Sequence, residues 1–287
     1  MKKDFSPLTF WFAIIVIALV RPPTRAQGAE KTAASESEKV SIQWKSLLFQ
    51  AFEFDALENG FRVATQPETR ATMGGPFFHG YAASLDNLHG WADGDPFLVN
   101  YVGHPMQGAV SGYIFVQNDP RFRKTEFGRN SAYWKSRLRA TAFSFVYSEQ
   151  FELGPLSEAT IGHTQAYFPQ QGFVDQVITP AVGLAWMLAE DSLDRYVISW
   201  VEQKTSNPWV KMLARGTLNP SRSLANVMRG ELPWHRDTRP PLFKGRQTLL
   251  AASNLRSTTS IVAESASESM PAIDSFSRTR SGIEEAP

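Results

Sequence analysis

The chain has 287 residues, with 29 basic and 28 acidic side chains and a formal net charge of +1 near neutral pH. It contains no cysteine, which excludes disulfides, thiolate catalysis and cysteine-based metal sites. The basic residues are scattered rather than concentrated on one segment, so the composition gives no indication of a nucleic-acid partner.

The N-terminus has the pattern of an export signal. Lys2-Lys3 precedes an uncharged apolar run over 8–20, and Thr24-Arg25-Ala26 offers small residues where a signal peptidase cuts. We therefore predict a signal peptide over 1–26 and an exported protein, located in the periplasm or in the membrane-associated cell envelope. An uncleaved anchor is the alternative, but the run is shorter than the ~20 apolar residues that cross a bilayer.

Composition divides the rest of the chain into three parts. A linker is predicted over 27–39 and a helical domain over 40–241. A disordered tail is predicted over 242–287, because 245–287 holds nine serines, one Phe and no Trp or Tyr and cannot bury enough apolar area to offset its ordering entropy. Cleavage after residue 26 removes four basic residues and one acidic residue, which leaves a nearly neutral mature chain.

Apolar spacings of three and four predict a mainly α fold: a compact helical bundle with Pro- and Gly-interrupted apolar helices, flanked by disordered termini. Gly60 and Gly216 are expected to end helices, and Gly230 to follow one. The predicted helices cover 41–60, 77–88, the segment around 100–111, 131–152, 173–203, 208–215 and 220–229. The apolar residues expected to pack inward are Trp44, Leu47, Leu48, Ala51, Phe52, Leu57, Phe78, Tyr81, Leu85, Trp134, Leu138, Phe145 and Phe151.

A histidine lies inside a long segment without charge. His104 belongs to the run 96–117, which contains no Asp, Glu, Lys or Arg, and a buried imidazole needs a polar partner. Asn100, His104, Gln107 and Ser111 are spaced by four, three and four residues, so they should share one helix face. Pro105 should make the helix begin or bend there. Gly103, Gly108 and Gly112 would let another helix approach closely.

Three acidic residues in two further apolar segments are candidate partners of His104. Glu149 and Glu152 share a helix face and could form an acid/base pair, a pair of metal ligands or hydrogen bonds to other helices; their closeness to Gly154-Pro155 also suits a solvated helix end. Glu152 continues a row of small residues, Ala140, Ser144 and Ser148. Asp175 lies near the start of its helical segment, so its simpler role is to complement the helix dipole. Thr179, four residues later, joins Asn100, Gln107 and Ser111 as a candidate binding residue.

For His104 itself, a hydrogen-bonding core role is favoured over general base or metal ligand. No metal site and no cofactor are predicted, because a single histidine gives no metal-ligand spacing. Asp93-Gly94-Asp95 falls far short of a calcium loop, and His163 is interpreted as a loop residue.

Charged residues near the C-terminal end of the domain are interpreted as solvated. Asp191 and Arg195, four apart, suit the exposed end of a helix. Five arginines recur later in the chain and should form a solvated basic face, with contact to an anionic phospholipid or lipopolysaccharide as the sharper alternative. They are Arg215, Arg222, Arg229, Arg236 and Arg239.

Three motifs occur within 77–191: Asn100-Tyr101-x-x-His104-Pro105-x-x-Gly108, Tyr147-x-Glu149 with Glu152, and Asp175-x-x-x-Thr179-Pro180-x-x-Gly183. Together they resemble a family of exported bacterial proteins that is a domain of unknown function. More distantly, the order of His, Glu and Asp on successive helices resembles VanZ-like membrane proteins, although Val99-Asn100 stands where those proteins usually have Asp-Lys. The resemblance implies an envelope location and no particular reaction.

Two functions from different classes follow. The favoured one is a non-enzymatic envelope protein whose His/Glu/Asp cluster ties helices together and whose surface binds membrane lipid or another envelope component. The alternative is an envelope hydrolase or transferase acting on lipid or glycan, with His104 as general base. Apolar runs at 96–117, 138–148 and 177–189 favour partial membrane insertion, although a soluble periplasmic bundle has the same composition.

Overall fold

The computed structural model describes residues 41–73, 77–86, 88–157, 160–161 and 172–243. Within these residues the protein is mainly helical, as predicted. The chain divides into two units, Met1–Pro240 and Pro241–Pro287. The predicted signal peptide and linker, nearly all of the predicted tail, and His163 lie outside the described residues.

The α-helices in chain order are α1 (Trp44–Thr65), α2 (Pro67–Thr72), α3 (Phe77–Asp86), α4 (His104–Gln117), α5 (Ser131–Leu153), α6 (Val174–Ser192), α7 (Ser199–Lys204), α8 (Pro208–Leu218) and α9 (Pro220–Met228). Two π-helical turns extend the longer helices. Val99–Gly103 leads into α4, and Leu193–Ile198 joins α6 to α7.

Helix α4 is the centre of the bundle. It is buried along nearly its whole length and contacts α1, α5, α6 and α9. Its lack of charge follows from this position, because the surrounding helices replace water on every side. Pro105 lies in its first turn, where the missing N–H needs no acceptor.

Small residues let α4 and α6 cross at close range. A Cβ atom on Gly108 would lie 1.9 Å from the carbonyl oxygen of Thr179, and one on Gly183 would lie 2.9 Å from the Gly108 Cα. A Cβ on Gly112 would meet the Met187 side chain at 2.5 Å. The prediction of close helix approach is therefore confirmed for Gly108 and Gly112, whereas a Cβ on Gly103 would meet only the Leu98 carbonyl oxygen, at 3.7 Å.

Several helix ends differ from the prediction. Helix α1 continues through Gly60 to Thr65, and Gly216 lies inside α8. Neither glycine has a neighbour within 4 Å of an added Cβ, so neither marks a structural break. Gly230, with φ of 79°, follows the end of α9 as expected. At the start of α5, the side-chain oxygen of Asn130 accepts the N–H of Tyr133.

The predicted inward apolar faces are largely wrong. On α5 the buried face mixes polar residues such as Ser136, Arg137 and Ser148 with Tyr147 and Phe151, whereas several other large apolar side chains of this helix point outward. The same exposure occurs on α1 and α3. The large residues expected inside but found exposed are Trp44, Leu48, Phe52, Phe78, Leu85, Trp134, Leu138 and Phe145.

In the described ranges, no helix combines the length and the apolar character that crossing a membrane requires. Among the three apolar runs of the sequence, 96–117 is the one long enough to cross a bilayer. Its α4 portion packs inside the protein, whereas the residues before it turn large apolar side chains outward.

Candidate functional site

The polar face predicted around His104 is confirmed. Asn100, His104, Gln107 and Ser111 are all buried, and His104 is only 6% exposed. The Ser111 hydroxyl donates to the Gln107 carbonyl one turn earlier. The face is therefore turned into the bundle, and its side chains must find partners on other helices.

His104 meets two carboxylates that come from two different helices. Its Nε2 lies 3.3 Å from Asp175 Oδ1 on α6, and its Nδ1 lies 3.9 Å from Glu152 Oε1 on α5. Both acids are buried, with 4% of Glu152 and 3% of Asp175 exposed. One ligand atom from each of the three residues lies within 4.8 Å of the other two. We call these three residues the His104 centre.

Local sequence explains how the two acids reach the histidine. Glu152 follows Ala140, Ser144 and Ser148 at intervals of four, and this small, buried row brings α5 against the rest of the bundle. Asp175 lies in the first turn of α6, at the same end of the α4 to α6 packing. Sequence spacing could not show the grouping, because each member comes from a separate helix.

A hydrogen-bonded chain continues from His104 to α1. The Nδ1 atom of His104 lies 3.0 Å from Gln107 Oε1, and Gln107 Nε2 donates to Glu58 Oε2 at 3.3 Å. The hydroxyl of Tyr147 donates to the same Glu58 oxygen at 2.7 Å. Glu58 on α1 therefore ties α4 and α5 together, a role that the sequence analysis did not assign to it.

On its other side the centre is bordered by the loop before α4. Asn100 donates to Asp93 Oδ1 at 2.8 Å, and Asp93 is also hydrogen-bonded to Asp175. Burial acts to raise the pKa of Asp93, but its hydrogen bonds outweigh burial and leave the pKa below its usual range. Burial, together with the charge of Asp93, raises the pKa of Asp95 to about 6.

The imidazole of His104 is held in its neutral form. Burial is the largest influence and lowers its pKa below the usual range, although the Gln107 hydrogen bond and the charge of Asp93 act in the opposite direction. A buried cation without full compensation is costly, so neutrality is the expected state of this ring near neutral pH.

The remaining candidates lie close to the centre but outside it. Glu149 is half-buried on the neighbouring side of α5, and burial raises its pKa. Thr179, one turn after Asp175, is fully buried at the point where its carbonyl oxygen faces Gly108. Glu152, rather than Glu149, is therefore the α5 partner of His104.

A second buried cluster was missed, and the solvated role predicted for Asp191 is wrong. Asp191 accepts hydrogen bonds from Tyr113 at 3.0 Å, Tyr133 at 2.8 Å and Arg137 at 2.6 Å, and from Arg222. Burial acts to raise its pKa, but the two arginines outweigh burial and hold the pKa below its usual range.

The predicted solvated basic face is also wrong. Asp194 pairs with Arg236 and Arg239, Glu202 pairs with Arg215, and Arg229 pairs with Asp237. Each of these arginines therefore has an internal acidic partner, and they are not arranged as a lipid-headgroup site. A cavity of about 50 Å³ lies among them. Arg195 is half-exposed, as expected for a solvated residue, and pairs with Glu126 at 2.9 Å.

Comparisons with protein-family models, with curated proteins and with solved structures found no match to this chain. The family resemblance therefore stays a prediction from the motifs.

Proposed function

We propose that this protein is a non-enzymatic, exported cell-envelope protein that inserts the apolar side of its helical bundle into one leaflet of a membrane. The observation that carries the proposal is that α5 exposes large apolar side chains while it buries polar ones. A helix at a protein surface in water normally turns its apolar face inward, whereas α5 buries Ser144 and Glu152 and exposes Phe145 and Val146.

One group of exposed apolar residues lies at the end of the bundle that holds the His104 centre; others lie on α1, α3, α7 and α8. The contacts of His104 place the C-terminal half of α5 beside the N-terminal half of α6. The stretch 140–148 of α5 and the stretch 176–189 of α6 contain no charged residue. The exposed side chains at this end are Phe97, Leu98, Val99, Tyr101, Val102, Phe145, Val146, Val177 and Val182, and we call them the apolar band.

The height of the apolar band suits a single leaflet. A helical segment of the length of 140–148 rises about 13 Å, and half of the hydrocarbon core of a bilayer is about 15 Å. Insertion to this depth requires no helix that crosses the membrane. The polar residues of the bundle would stay inside it, away from hydrocarbon.

The distribution of the apolar band favours lipid over a partner protein. Its residues lie on three separate elements: the π-helical turn Val99–Gly103 with the residues before it, α5 and α6. A protein partner usually covers one patch, whereas lipid surrounds whatever is inserted. Large exposed apolar surface on a soluble protein is a mark of such interaction sites.

Flotation with lipid vesicles tests the proposal. The variant Phe145→Ser/Val146→Ser removes two side chains of the apolar band, and Trp209→Ser/Leu213→Ser removes two side chains on α8 that are at least as exposed. We expect the first variant to lose at least about tenfold in vesicle-bound fraction, because each buried side chain contributes about 1.5–3 kcal/mol. The second should bind like the natural chain.

All three proteins carry the same residues 8–20, so this segment cannot account for a difference between them. The proposal fails if the natural chain does not float, or if the two variants lose binding equally. Release of the mature protein from cell membranes by a carbonate wash would contradict insertion.

A second candidate function is hydrolysis or transfer on a lipid or glycan, with His104 as general base. The contact of 3.3 Å between His104 Nε2 and Asp175 favours it, because a carboxylate can orient a catalytic imidazole. His104→Gln distinguishes the two functions: a catalytic base cannot be replaced by an amide, whereas membrane association should persist in the folded variant.

A further inference from the structure

The hydrogen bonds of Gln107 determine which nitrogen of His104 carries a proton. Gln107 uses its Nε2 group to donate to Glu58, so its Oε1 faces His104 Nδ1 at 3.0 Å. An amide oxygen only accepts. His104 Nδ1 is therefore the protonated nitrogen, and in a neutral ring the Nε2 atom presents its lone pair.

That lone pair faces a carboxylate. His104 Nε2 lies 3.3 Å from Asp175 Oδ1, so two hydrogen-bond acceptors oppose each other in a buried site. Such a contact is stable only when a positive charge lies between the two atoms, either a proton or a metal ion. A shared proton needs two acceptor atoms, whereas a metal ion bound by a protein needs at least three ligand atoms.

The third partner is present. Glu152 reaches the same ring from α5, and one ligand atom from each of His104, Glu152 and Asp175 lies within 4.8 Å of the others. An ion with bonds of about 2.1 Å holds its ligand atoms about 3.4 Å apart. The His104 to Asp175 distance already matches this spacing, whereas the Glu152 oxygen, which lies 3.9 Å from Nδ1 rather than Nε2, has to move inward by up to about 1.4 Å.

We propose that the His104 centre binds one divalent transition-metal ion, through His104 Nε2 and the carboxylates of Asp175 and Glu152. This inference is independent of the membrane proposal, because it concerns the interior of the bundle. Gln107 acts as the group that holds the ring in the metal-binding tautomer, as hydrogen-bonded partners of metal-bound histidines do.

The ligand set indicates the class of ion. One imidazole nitrogen with two carboxylate oxygens suits Zn²⁺, Co²⁺, Fe²⁺ or Mn²⁺ better than Ca²⁺, which prefers six to eight oxygen ligands. The two ligand carboxylates balance the charge of a divalent ion, and Asp93, hydrogen-bonded to Asp175, adds a further acidic group beside the site. A metal here would hold α4, α5 and α6 together.

The test uses the full chain after treatment with a chelator, and Zn²⁺ and Co²⁺ alone as probes. Calorimetry should show one Zn²⁺ ion per chain, and Co²⁺ should give visible absorption bands from ligand-bound metal. Binding should weaken at least about a hundredfold in His104→Gln and Asp175→Asn, since each loses a direct ligand. Gln107→Leu should weaken binding about tenfold, as expected for a hydrogen-bonded supporting group.

His235→Gln is the matched control. His235 also lies between two acids, with Glu231 3.6 Å from its Nδ1 and Asp237 3.5 Å from its Nε2, but it is nearer the surface and outside the His104 centre. This variant should bind Zn²⁺ and Co²⁺ as the natural chain does. If His104→Gln fails to fold, judged by circular dichroism, Glu152→Gln replaces it with the same expected loss.

Three results would overturn the proposal: no Zn²⁺ or Co²⁺ bound to the natural chain, equal binding by the folded His104→Gln or Glu152→Gln variant, or equal loss in His235→Gln. The test is separate from the membrane proposal, because vesicle flotation should be the same with and without added Zn²⁺.

Discussion

At the residue scale, the buried charges are stabilised by partners from distant parts of the chain. Asp191 on α6 is bound by Arg137 on α5 and Arg222 on α9. Removing one member of a buried charge network leaves the others uncompensated, which costs far more than losing an exposed ion pair.

Replacing Asp191 by Asn should lower the free energy of unfolding by about 3–5 kcal/mol, because Arg137 and Arg222 would stay buried without their carboxylate. Glu126→Gln is the control, since it breaks the exposed pair with Arg195 and should cost less than about 1 kcal/mol. Urea denaturation of both variants measures the difference. Similar losses in the two variants would contradict the internal position of Asp191.

Asp55 gives the protein a pH dependence of its own. It is buried on α1, and burial raises its pKa to about 6, against the opposing hydrogen bond of Asn59. Because the folded state holds this proton more tightly than the unfolded chain does, the contribution of Asp55 to stability is largest below about pH 4 and falls as the pH rises toward about 6.

Asp55→Asn should remove this fall. Relative to the natural chain, the variant should gain about 1–3 kcal/mol in free energy of unfolding when the pH goes from about 4 to about 7.5. Denaturation curves at the two pH values give the gain. An Asp55→Asn variant whose relative stability did not change with pH would show that the carboxyl titrates normally.

The candidate site was partly predictable at this scale. The face of Asn100, His104 and Gln107 follows from spacing alone, because helical geometry places such residues on one side. The partners of Asp191 could not be found in this way, since Tyr133 and Arg137 lie more than fifty residues away in the chain. The spacing of four between Asp191 and Arg195 was the available signal, and it indicated an exposed helix end rather than a buried network.

At the element scale, the bundle depends on the close crossing of α4 and α6. Gly108 and Gly183 meet there, and the backbone of Thr179 occupies the space that a side chain on Gly108 would need. The same crossing brings the first turn of α6, with Asp175, to His104. Close packing of the two backbones therefore positions the His104 centre.

Gly108→Ala should destabilise the protein by about 3 kcal/mol or more, because a backbone atom 1.9 Å from the new Cβ forces the two helices apart. Gly216→Ala on α8 has open space around it and should be neutral or stabilising by up to about 1 kcal/mol. Thermal unfolding of both variants tests the contrast. An equal effect would mean that the crossing tolerates separation.

Helix positions were more predictable than helix faces. The bounds of α5 follow from Asn130 before it and Gly154-Pro155 after it, which are local signals. The face that α5 buries did not follow from the sequence. Trp, Leu and Phe are usually assumed to pack inward, but Trp134, Leu138 and Phe145 are exposed. Gly60 was misinterpreted for a related reason: a glycine ends a helix only where the chain must turn, and α1 does not turn there.

At the scale of the whole molecule, the interior combines an apolar core, which includes Phe54, Ile114 and Met187, with buried polar groups, while many large apolar side chains lie outside. The His104 centre and the Asp191 network are two of the buried polar groups. The side chains of the apolar band are exposed at one end of the bundle. A bundle built this way is complete only when something apolar covers the band, and we infer that membrane lipid does so.

The most direct test of this claim is the environment of a spin label at position 146 in vesicles. Because the chain contains no cysteine, Val146→Cys and Leu213→Cys each introduce a single labelling site, and the two natural side chains are equally exposed at 62%. Electron paramagnetic resonance measures how often each label collides with apolar oxygen and with a water-soluble nickel chelate. We predict that the label at 146 meets oxygen preferentially while the label at 213 meets the chelate, whereas equal access of the chelate to both labels would contradict insertion of the apolar band.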